Sequence, residues 1–484
     1  MVSGRSLGRR GKRCRIKHIP YIYHITAMTC CRGMTIMTDY NEQVQRIKQK
    51  LLVAKEADPQ LLVFGADSHE YTLNKPATIA QTDQFEQRYG VTLPACYRAF
   101  LLQVGNGGKA FANSAAGPFY GIYPLGEYVD ELIHDNVEKH LKNDCVIYPN
   151  MSDAYWATLT QKINDDDNLS DEDYENERGR IFSGILPIGS QGCSYLHGIA
   201  LNGPYSGRVV NLDTDFQKPK FTYESNFLDW YERWLDEVIS GQLMQEGPSW
   251  FGYSMGGSDD QLLKLFLSAK DEDQKADCLN GILNKHTLQK EIVENIEQQV
   301  FQHTPGINAQ LLQILCKFNY EKAKPYLIEL VKTDLLSVFQ FVYWYAKDKS
   351  KEWAPVIEAN ISRINDDETF RFCTYLLTET KSKFGPLIIP FTEKDDEKIR
   401  VTAFYTLGKL NNRQDFIDTF IRGLNDPSTS VILSTLQALS GVKDKRLLPH
   451  YKQLAEKFPV EQDYILANLN HRLEEYGLTN VTVL

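Results

Sequence analysis

The stretch Phe85 to Gly108, FEQRYGVTLPACYRAFLLQVGNGG, constrains the fold more than any other part of this chain. Gly90 can take the left-handed conformation that closes a helix, so a helix is expected to end there. Leu93-Pro94 opens another, with Pro94 at or near the first helical position, where its missing N–H costs nothing. Tyr97, Phe100, Leu101 and Val104 then fall at i, i+3, i+4 and i+7, the stripe of a helix face that packs on a core. Gly105-Asn106-Gly107-Gly108 ends the helix in a tight turn that needs positive φ. The segment carries no acid, base or nucleophile arranged for catalysis, and its pattern is that of a scaffold for recognition.

At 484 residues the chain has room for two or three domains. With 42% hydrophobic and 24% charged residues it is ordinary globular material, able to build cores without disulfide or metal staples. The net charge of −10 argues against nucleic acid as the main partner and favours a basic protein. The charge is uneven. Residues 1–36 hold 8 Arg/Lys and no Asp or Glu, so residues 37–484 keep 45 of the 53 basic residues against 63 acidic, a formal −18. The basic leader is expected to be disordered or not part of the native protein, with Met37 as the start; a mitochondrial transit peptide is the other reading of its composition. Six cysteines beyond the leader (Cys96, Cys145, Cys193, Cys278, Cys316, Cys373) show no CxxC or zinc spacing, the pattern of reduced thiols in a cytoplasmic protein. No apolar run is long enough for a membrane span.

Residues 39–57 are expected to form a helix with Val44, Ile47, Leu51 and Leu52 on one face, and Thr78 to cap the helix that ends at Gly90. Residues 117–125, GPFYGIYPL, read as a short strand, and Glu127 to about Leu141 as a helix. Residues 165–177, DDDNLSDEDYENE, hold 8 carboxylates; like charges repel, so a solvated, mobile loop is expected. Strand patterns follow at Ile185-Leu186-Pro187-Ile188-Gly189, Tyr195–Leu201 and Gly207–Leu212. A helix over 225–240 then places Phe227, Trp230, Trp234 and Val238 on one core face. The Gly-rich stretch 241–258 is the expected linker. From Asp259 to about Glu474 strand signals vanish and helix follows helix. Residues 397–410 align with 429–442 at a shift of 32, matching Ile399 with Val431, Val401 with Leu433, Phe404 with Leu436, Leu407 with Leu439 and Leu410 with Val442. Each copy leads to a second helix, and one helix pair cannot bury its apolar face alone, so stacked pairs are expected.

The N-terminal half resembles the SUKH superfamily, the Smi/Knr type of domain. The resemblance rests on Phe85-Glu86 with Tyr89-Gly90, Leu93-Pro94 with Tyr97, Phe100 and Leu101, and Asn106-Gly107-Gly108. It continues in Gly121-Ile122-Tyr123-Pro124-Leu125, Ile185–Gly189, Gly207-Arg208-Val209-Val210 and Phe227-Leu228. It covers roughly residues 78–240; the acidic insertion departs from the family pattern. The C-terminal half resembles HEAT-type helical repeats, most clearly in residues 425–449. The resemblance implies an α+β SUKH-like domain with a central sheet, followed by an all-α HEAT-like solenoid. Together with the residue patterns it gives the division 1–36 (basic leader), 37–77 (helix and loop), 78–240 (SUKH-like), 241–258 (linker), 259–475 (solenoid) and 476–484 (tail). It also implies function by binding: bacterial SUKH proteins are commonly immunity proteins that block a cognate toxin, and fungal relatives are regulatory interaction proteins.

Gly252-Tyr253-Ser254-Met255-Gly256 fits G-x-S-x-G, but a nucleophile elbow needs a strand before it and a helix after it within an α/β sheet, and here the motif falls in a linker. Asp165, Asp167 and Asp171 lack the Gly and the Glu that an EF-hand loop requires. His134, His140, His197 and His303 show no metal-ligand spacing, and Asn106-Gly107-Gly108 lacks the Lys-Ser/Thr of a phosphate loop. The expectation is therefore a cytoplasmic protein without enzymatic activity or cofactor, which neutralises a toxin by occlusion and has neither nucleic acid nor membrane as a partner. Its partner-binding residues are Asp165, Asp166, Asp167, Asp171, Glu172, Asp173, Tyr174, Glu175 and Glu177, the carboxylates steering a basic cleft and Tyr174 anchoring it. The alternatives are a regulatory scaffold with an ordinary cellular partner and, remotely, a hydrolase using Ser254.

Overall fold

A computed structural model of the chain describes residues 40–166, 168–244, 251–380, 383–458 and 463–482. The basic leader, Asp167 and part of the linker lie outside the described residues.

Helix α1 (Asn41–Ala57) buries Val44, Ile47, Leu51 and Ala54. Leu52 is 67% exposed, and Ala54 completes the stripe in its place. Helix α2 (Ile79–Tyr89) starts in a capping box: the Gln81 amide donates to Thr78 Oγ1 and the Thr78 amide to Gln81 Oε1. It closes at Gly90 with φ 64°. Helix α3 (Ala95–Gln103) has Pro94 as its N-cap and buries Tyr97, Phe100 and Leu101. The turn after it is tight. Asn106 Oδ1 accepts the Leu125 amide at 2.8 Å, Gly107 takes φ 73°, and a Cβ on Gly108 would lie 2.5 Å from the Ser114 carbonyl.

Residues 115–123 are not a regular strand. Ala115 and Ile122 form one isolated bridge, while Phe119 and Gly121 take positive φ, although Tyr123 N still donates to Ile188 O at 2.9 Å. The expected long helix from Glu127 shrinks to α4 (Val137–Leu141), because Asn136 adopts φ 53° and breaks it. Two helices, α5 (Asp153–Asp165) and α6 (Asp171–Ile181), then precede the sheet.

The sheet is an antiparallel meander of β1 (Ile185–Gly192), β2 (Tyr195–Ala200), β3 (Val209–Asp213) and β4 (Lys220–Phe221), in that order. Side chains alternate between its faces. Leu186, Ile188, Ile199 and Val209 join the core made by α1, α3 and α7 (Phe227–Ile239). Ile185, Leu196, Ala200, Val210 and Leu212 join a second core with Leu132, Ile133, Trp156, Leu159, Ile181 and Phe182. Both faces are thus covered, which is why the strands read as nearly continuous apolar runs. Helix α7 is the pivot: Asn226 Oδ1 caps its first amides, and Phe227, Trp230, Tyr231, Trp234 and Val238 are almost fully buried. Tyr97 and Phe100 of α3 meet the Phe227 ring edge-on.

Beyond the junction every described regular element is helical: α8 (Asp259–Ser268), α9 (Glu272–Leu283), α10 (Lys290–Gln299), α11 (Pro305–Phe318), α12 (Tyr320–Leu330), α13 (Leu335–Tyr345), α14 (Ser350–Asn360), α15 (Asp367–Thr380), α16 (Glu397–Gly408), α17 (Ile417–Leu424), α18 (Thr429–Ala438), α19 (Leu448–Lys457) and α20 (Asp463–Glu474), with short helical turns between some of them. Helices α9, α11, α13, α15, α16, α18 and α20 touch in succession, and one apolar core runs through them from Leu262 to Leu473. The two segments related by a shift of 32 residues are the neighbours α16 and α18. Their matched positions Ile399/Val431, Phe404/Leu436, Leu407/Leu439 and Leu410/Val442 are all buried.

The junction is fastened to both parts. Phe251 lies between Trp230 and the Arg233 guanidinium. Asn211 Nδ2 donates to Gly252 O, Lys220 Nζ to Tyr253 O and the Tyr253 hydroxyl to Gln191 Oε1. On the helical side, Lys285 Nζ donates to Gly257 O, and the Tyr223 hydroxyl donates across to Asp277 at 2.6 Å.

Candidate functional site

The acidic run is largely helical rather than a loop. Ser170 caps α6 by accepting the Asp173 amide at 3.2 Å, and Asp171, Glu172 and Asp173 fill the first turn, where the positive end of the helix dipole favours carboxylates. Arg178 and Arg180 fill the last turn, where cations are favoured. Charges that repel in a coil are in this way ordered along the dipole. The inner side of α6, with Arg178, Gly179 and Ile181, is buried over the second face of the sheet. Gly179 is required there, since a Cβ would sit 2.4 Å from the buried His140 ring.

The nine expected binding residues fall into three groups. Asp165, Asp166, Asp171, Glu172 and Asp173 are exposed, and none has a cation within ion-pair distance among the described residues. Glu175, Glu177 and Tyr174 are half-buried and engaged. Burial alone would raise Glu177, but hydrogen bonds from Arg180 (2.7 Å) and Lys162 (3.2 Å) outweigh it and hold the carboxyl below its usual range. The Tyr174 ring meets Phe216 edge-on and the Arg178 guanidinium. Asp167 lies outside the described residues.

A second acidic segment joins the first in space. Arg178 Nη1 faces His134 Nε2 at 3.1 Å, and His134 Nδ1 faces Glu175 Oε1 at 3.3 Å. A guanidinium only donates, so Nε2 accepts and the Nδ1–H donates to Glu175. This relay ties the loop 127–136 to α6. The loop also carries Glu127, Asp130 and Asp135, all exposed, and Tyr128, 40% exposed. Glu131 of this loop is raised by burial. Sequence reading missed this half because its tie to α6 spans 41 residues for His134–Glu175. Its signal was the density of carboxylates in EYVDELIHD, which was absorbed into an expected helix.

Other candidates resolve differently. Ser254 sits in the junction turn ahead of α8, and no histidine is hydrogen-bonded to it among the described residues. His197 is fully buried on the sheet, packed on Trp230 and Phe119 and bonded to Asn211, and burial lowers it to about 3. No group of three or more His, Cys, Asp or Glu side chains that could hold a metal ion occurs among the described residues. The six described cysteines are free thiols, and no described helix is long and apolar enough to cross a membrane.

The domain is a four-stranded antiparallel sheet covered by helices on both faces, with exposed carboxylates on α6. The model of the SMI1 / KNR4 family (SUKH-1) matches residues 76–233, which supports a SUKH domain in that part of the chain; the described regular elements beyond residue 259 are all helical. No curated protein matches the chain.

Proposed function

We propose that this chain is an immunity protein that neutralises a cognate toxin by binding over its active cleft. The match of residues 76–233 to the SUKH-1 family supports this reading, since bacterial SUKH proteins are commonly immunity proteins. Residues 37–77 add a helix and loop to the SUKH-like domain of 78–240. Residues 241–258 link it to a HEAT-like α-solenoid of 259–475, ahead of a short tail. The protein works in the cytoplasm and carries out no catalysis.

The observation that carries the reading is the set of exposed carboxylates on α5 and α6 and on the loop that His134 ties to α6. Asp165, Asp166, Asp171, Glu172 and Asp173 from the first and Asp130 and Asp135 from the second have no cation within ion-pair distance among the described residues. Such a field accelerates encounter with a basic cleft, as on a nuclease. Tyr128 and Tyr174 supply aromatic contact area. Glu175 and Glu177 act from within, holding the face to the domain through His134, Lys162 and Arg180.

The test is stopped-flow binding of the full chain to the C-terminal domain of the product encoded beside its gene. The variant Asp171→Asn/Glu172→Gln/Asp173→Asn is expected to lower the association rate by about tenfold at low salt and to flatten its salt dependence. Glu177→Gln is expected to change the rate little. Equal rates and equal salt slopes for wild type and the triple variant would remove the acidic face from the mechanism.

A further inference from the structure

We propose that the cleft between β4 and α9 is a binding site for a small zwitterion of the free amino-acid type, its carboxylate held from the sheet side and its ammonium from the helical side. The cleft is separate from the exposed carboxylates of α6, and nothing in the toxin reading depends on it.

The cleft encloses about 610 Å³, a volume in the range of small-molecule sites. Its walls come from three places in the chain. Arg208, just ahead of β3, forms the sheet side with Lys218 and Lys220 at β4. Asp273, Ala276 and Asp277 fall at i, i+3 and i+4, one face of α9. Pro149, Asn150 and Met151, ahead of α5, close the third side. The Tyr223 hydroxyl donates across the seam to Asp277 at 2.6 Å, which holds the sheet side and the helix in register.

Charge in the cleft is divided by wall. The three cations lie on the sheet side and the two carboxylates on α9, and no pair of them comes within ion-pair distance across the gap. Lys218 is neutralised from outside the cleft, by Asp153. Arg208 and Lys220 have no carboxylate within ion-pair distance among the described residues. Arg208 makes a single hydrogen bond, from Nη2 to Thr222 O, and its guanidinium lies 5.6 Å from the centre of the Phe221 ring. Its Nη1 has no partner among the described residues. Lys220 Nζ donates to Tyr253 O at 2.6 Å and keeps two N–H groups for another acceptor. Burial holds Arg208 and Lys220 below their usual ranges, and for Lys220 the Asp277 carboxylate pulls the other way from across the cleft. A cation drawn partly out of water without a counter-ion carries a cost that an anion from solution removes. On the other wall Asp277 has only the Tyr223 hydroxyl, and the exposed Asp273 accepts no hydrogen bond from the described residues.

The separation of signs selects the ligand. A phosphate satisfies the cations but meets Asp273 and Asp277. A polyamine satisfies the carboxylates but meets Arg208 and Lys220. A molecule with a carboxylate at one end and an ammonium at the other answers both walls. The guanidinium offers a planar fork that fits a carboxylate, and an ammonium offers three donors to the pair of aspartates on α9. Met151 and Phe221, 3% and 7% exposed, lie beneath as apolar floor for the ligand's side chain.

The test titrates the full chain calorimetrically with each of the common L-amino acids in turn. Saturable binding of at least one, with a midpoint below about 1 mM, is expected. Three further probes are the amide of that amino acid, which lacks the carboxylate, its des-amino acid, which lacks the ammonium, and inorganic phosphate. Each should bind at least about tenfold more weakly. Arg208→Gln should weaken the amino acid by about tenfold and erase its advantage over the amide. Asp273→Asn/Asp277→Asn keeps an oxygen to accept the Tyr223 hydroxyl; it should weaken the amino acid similarly and erase its advantage over the des-amino acid. The ranking of probes on the wild-type chain is independent of how the variants fold. Absence of saturable binding by every amino acid, or phosphate binding as tightly as the best of them, would overturn the proposal. So would wild-type preferences in both variants at unchanged unfolding midpoints.

Discussion

Gly179 and His197 carry the consequences that single residues have for this fold. A methyl at Gly179 has no room against the His140 ring, so Gly179→Ala is expected to destabilise the protein by about 1–3 kcal/mol, seen as a lower midpoint in urea unfolding. His197 and His69 are buried neutral, lowered by burial to about 3 and about 4. In the unfolded chain a histidine titrates near 6.5. Below that pH the unfolded state binds protons that the folded state refuses, so stability is full above about 6.5 and falls as pH drops toward about 4. A variant with His197→Gln, which can keep a hydrogen bond to Asn211, should show a shallower loss of stability between pH 6.5 and 4.5. An identical slope would assign the acid sensitivity elsewhere. At this scale the sequence was legible for stripes and caps: Tyr97, Phe100, Leu101, Thr78 and Gly90 all take the roles their spacing suggests. It was not legible for Glu175 and Glu177, because whether a carboxylate is free depends on partners such as His134 that only folding brings near.

Single elements show where local reading succeeds and where it stops. The acidic run was expected to be a loop because its charges were counted without their order. Three carboxylates behind a Ser cap and two arginines at the far end make a helix that the dipole supports. Ser170→Ala removes the cap and should cost about 1 kcal/mol, with faster hydrogen exchange confined to the first turn of α6. The opposite error occurred at Glu127–Leu141, where a helical pattern yielded only Val137–Leu141. Leu132 and Ile133 are pulled into the core under the sheet, and Asn136 takes a left-handed conformation. Helices α16 and α18 were legible as a related pair because each buries the same positions. Gly408 of α16 faces Ala438 of α18 so closely that a Cβ would lie 2.5 Å from the Ala438 Cβ. Gly408→Val is expected to part the two helices and lower the midpoint of unfolding more than Gly179→Ala does.

At the scale of the whole molecule, the change from mixed α+β to all-helical structure near residue 259 was visible as the end of strand patterns. The junction was not, because its bonds join distant positions: Tyr253 to Gln191 across 62 residues and Tyr223 to Asp277 across 54. G-x-S-x-G thereby acquires a structural meaning, with its glycine carbonyl and tyrosine tied to the sheet and Met255 against Cys278 of the first helical pair. Phe251→Ala should loosen this tie, and calorimetry is expected to separate the unfolding of the two parts more widely than in wild type. The proposed neutralisation of a toxin is read from cell survival. The C-terminal domain of the product encoded beside this gene is expressed with and without the full chain, and surviving cells are counted. Death without the chain, rescue with it, and loss of rescue in the Asp130→Asn/Asp135→Asn/Asp171→Asn/Glu172→Gln/Asp173→Asn variant at matched expression are expected. A toxic domain that kills equally in the presence of well-expressed wild-type chain, or a domain harmless by itself, would contradict it.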